Sequence, residues 1–331
     1  MIPMIFRRVP WCWVVGVAIC LLIAGPIGAQ DQDEPMEFSV QAPLASKSLL
    51  IDVATVDDLV VVVGERGHIL FSEDQGTTWR QAEVPTRSGL NAVFFYDRKL
   101  GWAVGHDGVI VRTRDGGVTW ERVRWAPEEE NPFMDVWFAD AEHGFAIGAY
   151  GSFFETSDGG TTWTSRYISE DDFHLNQIVP AGGDRLYIAA EAGLFYRSDD
   201  GGATWTELPT PYEGSFFGVL PLEGDSVLTF GLRGHLFRSD DAGENWIEVE
   251  TNTVSMLTNS IRLDDGTIIV TGLGGVILVS RDGGHTFELH QHCNRRGISA
   301  VGVVSDDTLV FVGEFGVRTL PMSKLNERKD G

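Results

Sequence analysis

One eight-residue pattern, Ser/Thr-x-Asp-x-Gly-x-Thr-Trp, recurs along this chain and leaves few folds open to it. It is complete in Ser72-Glu73-Asp74-Gln75-Gly76-Thr77-Thr78-Trp79 and returns at Thr113…Trp120, Thr156…Trp163 and Ser198…Trp205. Looser copies stand at Ser239…Trp246 and Ser280…Phe287. The aspartates Asp74, Asp115, Asp158, Asp200, Asp241 and Asp282 are spaced 41, 43, 42, 41 and 41 residues apart. A unit of that length holds one small sheet, which buries its faces only by stacking on its neighbours.

A second marker counts the units. An apolar strand running into Gly-x-x-Gly occurs at Gly64/Gly67, Gly105/Gly108, Gly148/Gly151, Gly231/Gly234, Gly272/Gly275 and Gly313/Gly316; a fourth-unit copy has Ala190 before Gly193. That makes seven units against six Asp boxes. Unit two parses as strands at 90–95, 101–105, 109–113 and 120–125, with Gly, Asp or Asn in the turns. The expectation is an all-β, seven-bladed propeller of four-stranded antiparallel blades at about 47–84, 88–125, 131–168, 173–208, 214–250, 255–291 and 297–320. The last unit stops after three strands. Residues 36–44 are expected to pair with 317–320 as its fourth strand and so close the ring.

The ends are not propeller. Arg7 and Arg8, the uncharged apolar run 11–25 and Ile27-Gly28-Ala29 read as a signal peptide over 1–29. The apolar run is shorter than a spanning helix needs, so no membrane insertion is expected after cleavage. An acidic linker (30–35) follows, and a polar tail (323–331) ends the chain. These features place the protein outside the cytoplasm, in a periplasm, or in a thylakoid lumen if the source is phototrophic. The formal net charge of −23 becomes two units more negative when Arg7 and Arg8 leave with the signal. Phosphate-rich partners are therefore disfavoured, nucleic acid first. Only Cys293 survives cleavage, since Cys12 and Cys20 lie in the signal, so burial alone must stabilise the domain.

The box itself reads as a self-satisfying turn. Its carboxylate accepts backbone N–H groups, its glycine takes positive φ, and its tryptophan packs between blades. One carboxylate per turn falls short of the six to eight oxygens calcium requires. On a strand, His290 and His292 share a face while Cys293 points away, so no metal site is expected there, nor any cofactor. Near the start of strand one a polar residue recurs as Asp52, Asn91, Asp135, Asn176 and Asn259, expected to ring the central channel.

Antiparallel order puts the Gly-x-x-Gly turns and the blade-to-blade linkers on one face and the Asp boxes on the other. The turn tips carry Arg66, His106, Tyr150, Arg233 and Phe315; the linkers carry Arg87, Tyr212, Arg295 and Arg296, with Glu128–130 and Glu170-Asp171-Asp172 after blades two and three. Such a divided face suits docking of a protein or peptide segment by a monomeric disc.

The boxes resemble those of sialidases, sortilin-type receptors and xyloglucan-cleaving hydrolases, all propellers. The fuller unit from Gly105-His106-Asp107-Gly108 to Thr119-Trp120 resembles the Ycf48/Hcf136 family of photosystem II assembly and stability factors, also seven-bladed. That resemblance covers nearly the whole mature chain. It implies an arginine-rich surface that meets the client, for which Arg112, Arg197 and Arg238 before the boxes are candidates; Phe71, Glu155 and Val279 take that position elsewhere. The only sialidase-like Phe-Arg-x-x-Pro stretch, Phe6 to Pro10, falls in the signal, and no catalytic set is assigned. The expected function is an exported, non-catalytic assembly or stability factor for a membrane-associated complex. An Asp-box glycoside hydrolase and a carbohydrate-binding propeller stay open.

Overall fold

In a computed structural model of the chain, residues 36–292, 294–305 and 308–326 are described. The signal segment, the 30–35 linker, Cys293 and the end of the tail lie outside them. Blade 1 comprises β1 (Leu50–Val56), β2 (Leu59–Gly64), β3 (Ile69–Ser72) and β4 (Arg80–Gln81); blade 2 comprises β5 (Leu90–Phe95), β6 (Gly101–Gly105), β7 (Ile110–Thr113) and β8 (Glu121–Arg124). Blade 3 follows with β9 (Phe133–Phe138), β10 (Gly144–Gly148), β11 (Phe153–Thr156) and β12 (Thr164–Arg166). Blade 4 has β13 (Leu175–Pro180), β14 (Leu186–Ala190), β15 (Phe195–Ser198) and β16 (Thr206–Leu208). Blade 5 has β17 (Phe216–Pro221), β18 (Val227–Gly231), β19 (Leu236–Ser239) and β20 (Ile247–Glu248). Blade 6 has β21 (Leu257–Arg262), β22 (Ile268–Gly272), β23 (Val276–Ser280) and β24 (Glu288–Gln291). Blade 7 has β25 (Ile298–Ser305), β26 (Thr308–Gly313) and β27 (Gly316–Pro321).

Within each blade the strands pair in chain order, so every sheet is an antiparallel meander. The first strands of successive blades touch all the way round, and β1 meets β25. The protein is a closed seven-bladed propeller. Its core is a set of inter-blade layers rather than one centre. Leu59, Val61 and Phe71 of blade 1, for instance, pack with Val93, Ala103 and Trp120 of blade 2. The second strands β2 and β6 are buried along their length because they are covered on both faces, which is why they read as continuous apolar runs.

Closure differs from expectation in one element. The last sheet has three strands, and residues 36–44 form no strand in it. They run instead along the outside of blade 1. The Ser39 N–H bonds the Val84 carbonyl, and the Gln81 amide spans the Val40 carbonyl and the Ala42 N–H at 2.9 Å each. Pro43 removes a ladder donor and Phe38 and Val40 stay exposed, so the segment gains little by joining a sheet. Ala42 and Ala45 still plug the layer between blades 7 and 1, where β1 completes the ring.

Candidate partner-binding face

Each Asp box is closed on itself. In blade 3 the Asp158 carboxylate accepts the Thr162 N–H (2.9 Å), the Thr162 hydroxyl (2.7 Å) and the Thr156 hydroxyl (2.9 Å). Asp74, Asp115, Asp200, Asp241 and Asp282 repeat the set, with Asn245 standing in for threonine in blade 5. These donors favour the charged form, and Asp74, Asp158 and Asp200 sit at about 2. Gly160 takes φ +81° and faces the Trp102 indole, leaving no room for a side chain. Trp79, Trp120, Trp163, Trp205, Trp246 and Phe287 each fill the layer between their own blade and the preceding one.

The arginines before the boxes belong to this lattice. Arg112 is buried and donates to the Gly159 carbonyl (2.6 Å) and the Thr161 hydroxyl (3.1 Å) in the box of blade 3. Arg197 reaches Ala242 O of blade 5 at 3.0 Å, and Arg238 reaches Gly283 O of blade 6. Blade 3 has Glu155 at that position; there Arg166, from β12, sits 2.9 Å from Glu155 and donates to Gly202 O and Ala203 O of blade 4. These guanidiniums therefore face the next blade and do not form an open surface. Arg166 was not legible as part of this set, because it lies on a different strand.

The polar residues expected to ring the channel join one blade to the next. Val93 N–H bonds Asp52 at 2.9 Å, Asn91 donates to Phe133 O at 2.7 Å, and Ile178 N–H bonds Asp135 at 2.9 Å. Asn176 donates to Phe216 O at 2.7 Å, and Val301 N–H bonds Asn259 at 3.2 Å. Gln177 and Thr258 complete the pattern toward Val219 and Ile298 and were missed. They sit one residue along from Asn176 and one before Asn259, since a bulge early in strand one brings two successive residues to the axis. Desolvation raises Asp52 to about 6 and Asp135 to about 8, the latter also feeling the Asp52 charge.

The opposite face carries the turns and linkers. Gly193, at φ +78°, lies so close to Tyr212 O that a Cβ would overlap it, and the Thr210 hydroxyl ties Gly193 O to the same linker at 2.7 Å. The expected tips divide into two sets. Arg66, Arg233, Arg295 and Arg296 are exposed, and no carboxylate lies within ion-pairing distance of them among the described residues. Tyr150 is also exposed, edge-on to His174 at 5.2 Å, and His106 is open beside Asp107, which accepts the Ser88 hydroxyl. The other tips are engaged. Arg87 holds the 36–44 segment through Phe38 O (3.0 Å) and Glu37 (3.2 Å). Tyr212 packs on His235 and donates to Leu232 O at 3.0 Å. Phe315, expected at a tip, is buried against blade 6 because its ring enters that inter-blade layer.

Among the described residues no three His, Cys, Asp or Glu side chains cluster as a metal site, and no helix is long and apolar enough to cross a membrane. The class defined by this architecture is an Asp-box propeller whose box carboxylates are satisfied within the boxes themselves. The chain belongs to the family described as photosynthesis system II assembly factor YCF48, whose model matches residues 29–128 and 125–327. It is 28% identical over 110 residues to photosystem II stability/assembly factor HCF136, chloroplastic, of Arabidopsis thaliana, covering 30% of this chain and 27% of that protein. With photosystem II assembly protein Ycf48 of Thermosynechococcus vestitus it shares 42% identity over 43 residues, 13% of this chain and 12% of that one. These matches span about a quarter or less of the curated relatives' length. A solved structure described as YCF48 bound to D1 peptide superposes with a TM-score of 0.67 at 18% identity, covering 86% of this chain and 95% of that one. The WD40 propeller domain of Doa1 reaches 0.68 at 12% identity, so such likeness speaks to fold.

Proposed function

We propose that this chain is an exported, non-catalytic holding factor that captures an extended extracytoplasmic segment of a membrane complex on its turn-and-linker face. One observation carries the reading: Arg66, Arg233, Arg295 and Arg296 stand exposed without ionic partners on one face of a strongly acidic protein. Cations left open in that way suit an acidic client. Family membership and the relative bound to a D1 peptide support a peptide-holding role. Bonds from Arg112, Arg166, Arg197 and Arg238 to the next blade's box, and from the polar residues of the first strands, tie blade to blade, so binding orders the client and costs the propeller little entropy.

The test places a photo-crosslinking residue at position 66 or 233 of the full chain in its native envelope. The expected product joins the chain to an extracytoplasmic loop or tail of a membrane protein, and the Arg66→Glu/Arg233→Glu variant loses that product. Absence of any membrane-protein adduct at both positions, together with turnover of a fluorogenic sialoside or glucan, overturns the reading in favour of a hydrolase.

A further inference from the structure

Three junctions between blades are sealed at the Asp-box end in one way. The carbonyl of the residue after the box aspartate, Gly159, Ala242 or Gly283, accepts a guanidinium N–H from Arg112, Arg197 or Arg238 of the preceding blade. A carboxylate meets each guanidinium as well: Glu121 at 2.7 Å from Arg112, Asp199 at 2.9 Å from Arg197, and Asp240 beside Arg238. In blade 2 the indole of Trp102, which pairs across strands with Arg112, adds a second donor to Gly159 O at 3.1 Å.

The junction of blades 3 and 4 departs from this pattern at both donor positions. Phe145 and Glu155 pair across β10 and β11 where Trp102 and Arg112 pair across β6 and β7. The Phe145 ring fills the space over Gly202 as the Trp102 indole fills it over Gly160. Neither a phenyl ring nor a carboxylate can donate, so the Gly201 carbonyl of blade 4 does not receive what Gly159 O receives. Arg166 does not stand in for the missing donors. Its guanidinium lies over the Phe153 ring at 4.7 Å and donates to the next two carbonyls, Gly202 O and Ala203 O.

A cleft of about 480 Å³ opens at this junction, within the ~300–1,000 Å³ typical of ligand sites. Asp140, His143, Phe145, Glu155 and Thr162 line it together with the 201–203 backbone. Glu155 is partly exposed and meets Arg166 through Oε2 at 2.9 Å. Asp140 accepts the Glu142 and His143 N–H groups at 2.7 Å each, which hold its carboxyl below the ordinary range and keep it charged. Among the described residues no arginine or lysine lines this cleft. The smaller cleft at the junction of blades 5 and 6, about 360 Å³, is lined by Arg238, Arg262 and Arg281.

We propose that the cleft between blades 3 and 4 binds a guanidinium group, seated between the Gly201 carbonyl and the Glu155 carboxylate as Arg112 is seated between Gly159 O and Glu121. A box carbonyl beside a carboxylate holds a guanidinium three times elsewhere in this molecule. A planar cation with forked donors serves two such acceptors at once, which a point-like ammonium does less well. The site is at the Asp-box end, so it stands apart from the holding function of the opposite face.

The probes are agmatine and the peptide acetyl-Gly-Ser-Arg-Ser-Gly-amide, titrated into the isotope-labelled chain and followed by amide NMR shifts. Saturable shifts are expected at Gly144, Phe145, Glu155 and residues 201–203. The same peptide with citrulline for arginine keeps the shape without the charge and should bind roughly tenfold or more weakly, the loss of one charge-assisted bond. Agmatine binding without the peptide assigns the site to a free guanidine compound; peptide binding as tight as agmatine assigns it to an arginine of a partner protein. Glu155→Arg supplies the guanidinium from the chain itself, and the shifts should vanish. Glu155→Gln keeps an acceptor for Arg166 and should weaken binding roughly tenfold, which keeps the test decisive if Glu155→Arg folds poorly. Absence of saturable shifts with both probes, equal binding of the citrulline peptide, or binding unchanged in both variants overturns the proposal. So do shifts of equal size at Glu128, Glu129 and Glu130, which would mark general attraction of a cation to an acidic protein.

Discussion

The two ends of this propeller use aspartate in opposite ways. At the Asp-box end, Asp158 is open to water, yet three donors converge on it and hold its carboxyl near 2. In the channel, Asp135 accepts the Val136 and Ile178 amides, but desolvation outweighs them and pushes it up to about 8. What decides the charge is the balance of donors against water, not the residue type. The two ends also differ in what is left over. At the box end the polar groups bond mainly to the same or the next blade. At the linker end Arg66, Arg233, Arg295 and Arg296 have no ionic partner among the described residues. The first end maintains the disc, and the second has chemistry available to a client.

This contrast can be broken at several points. The largest effect is expected from Trp102→Ala at the box end. Trp102 is fully buried, stacks on Phe138 at 3.5 Å and donates to Gly159 O at 3.1 Å. Its truncation should cost about 3–5 kcal/mol in denaturant unfolding. Arg112→Ala should cost about 2 kcal/mol, because it removes the charged donor to the Gly159 carbonyl and the Thr161 hydroxyl and leaves a void between blades 2 and 3, and it should leave client capture unchanged. Capture lost without a stability change would instead make Arg112 part of the client surface.

Asp135→Asn tests the channel. A carboxyl raised to about 8 when folded keeps its proton where the unfolded chain has lost it. Its contribution is complete below about 4 and is lost as pH rises toward 8. The variant should therefore flatten the stability slope over that window and be roughly 1–2 kcal/mol more stable than the parent at pH 8, since the half-buried site is partly screened. Asp158→Asn should act in the opposite sense. Its lowered carboxyl contributes above the unfolded value, and the contribution is lost as pH falls toward 2, so the variant is less stable at pH 7 and converges with the parent in acid. Thermal melts across pH check both signs. The smallest stability effect, within about 0.5 kcal/mol, belongs to Arg66→Glu/Arg233→Glu, although this variant should lose the membrane crosslink.

Much of this was legible before any coordinates. Asp74 to Asp282 named the turns, and Gly64/Gly67 to Gly313/Gly316 counted the blades, because a repeated unit repeats its local geometry. The exposed tips Arg66, Tyr150 and Arg233 followed from strand order. Phe315, Tyr212 and Arg87 did not, since each is engaged by a neighbour distant in sequence. Arg112, Arg197 and Arg238 were visible as a recurring position, but the carbonyls they reach are 45–47 residues away in the next blade.

The sequence by itself determined the unit, its number and the closed ring, because turn conformation and strand alternation are local and a small sheet must stack to bury its faces. Only the tertiary structure decided how the ring is finished. Residues 36–44 could bond to either neighbouring blade, and the Gln81 amide together with Pro43 settles them on blade 1. Among the described residues β27 therefore pairs with β26 alone, because a backbone donor can pair only once.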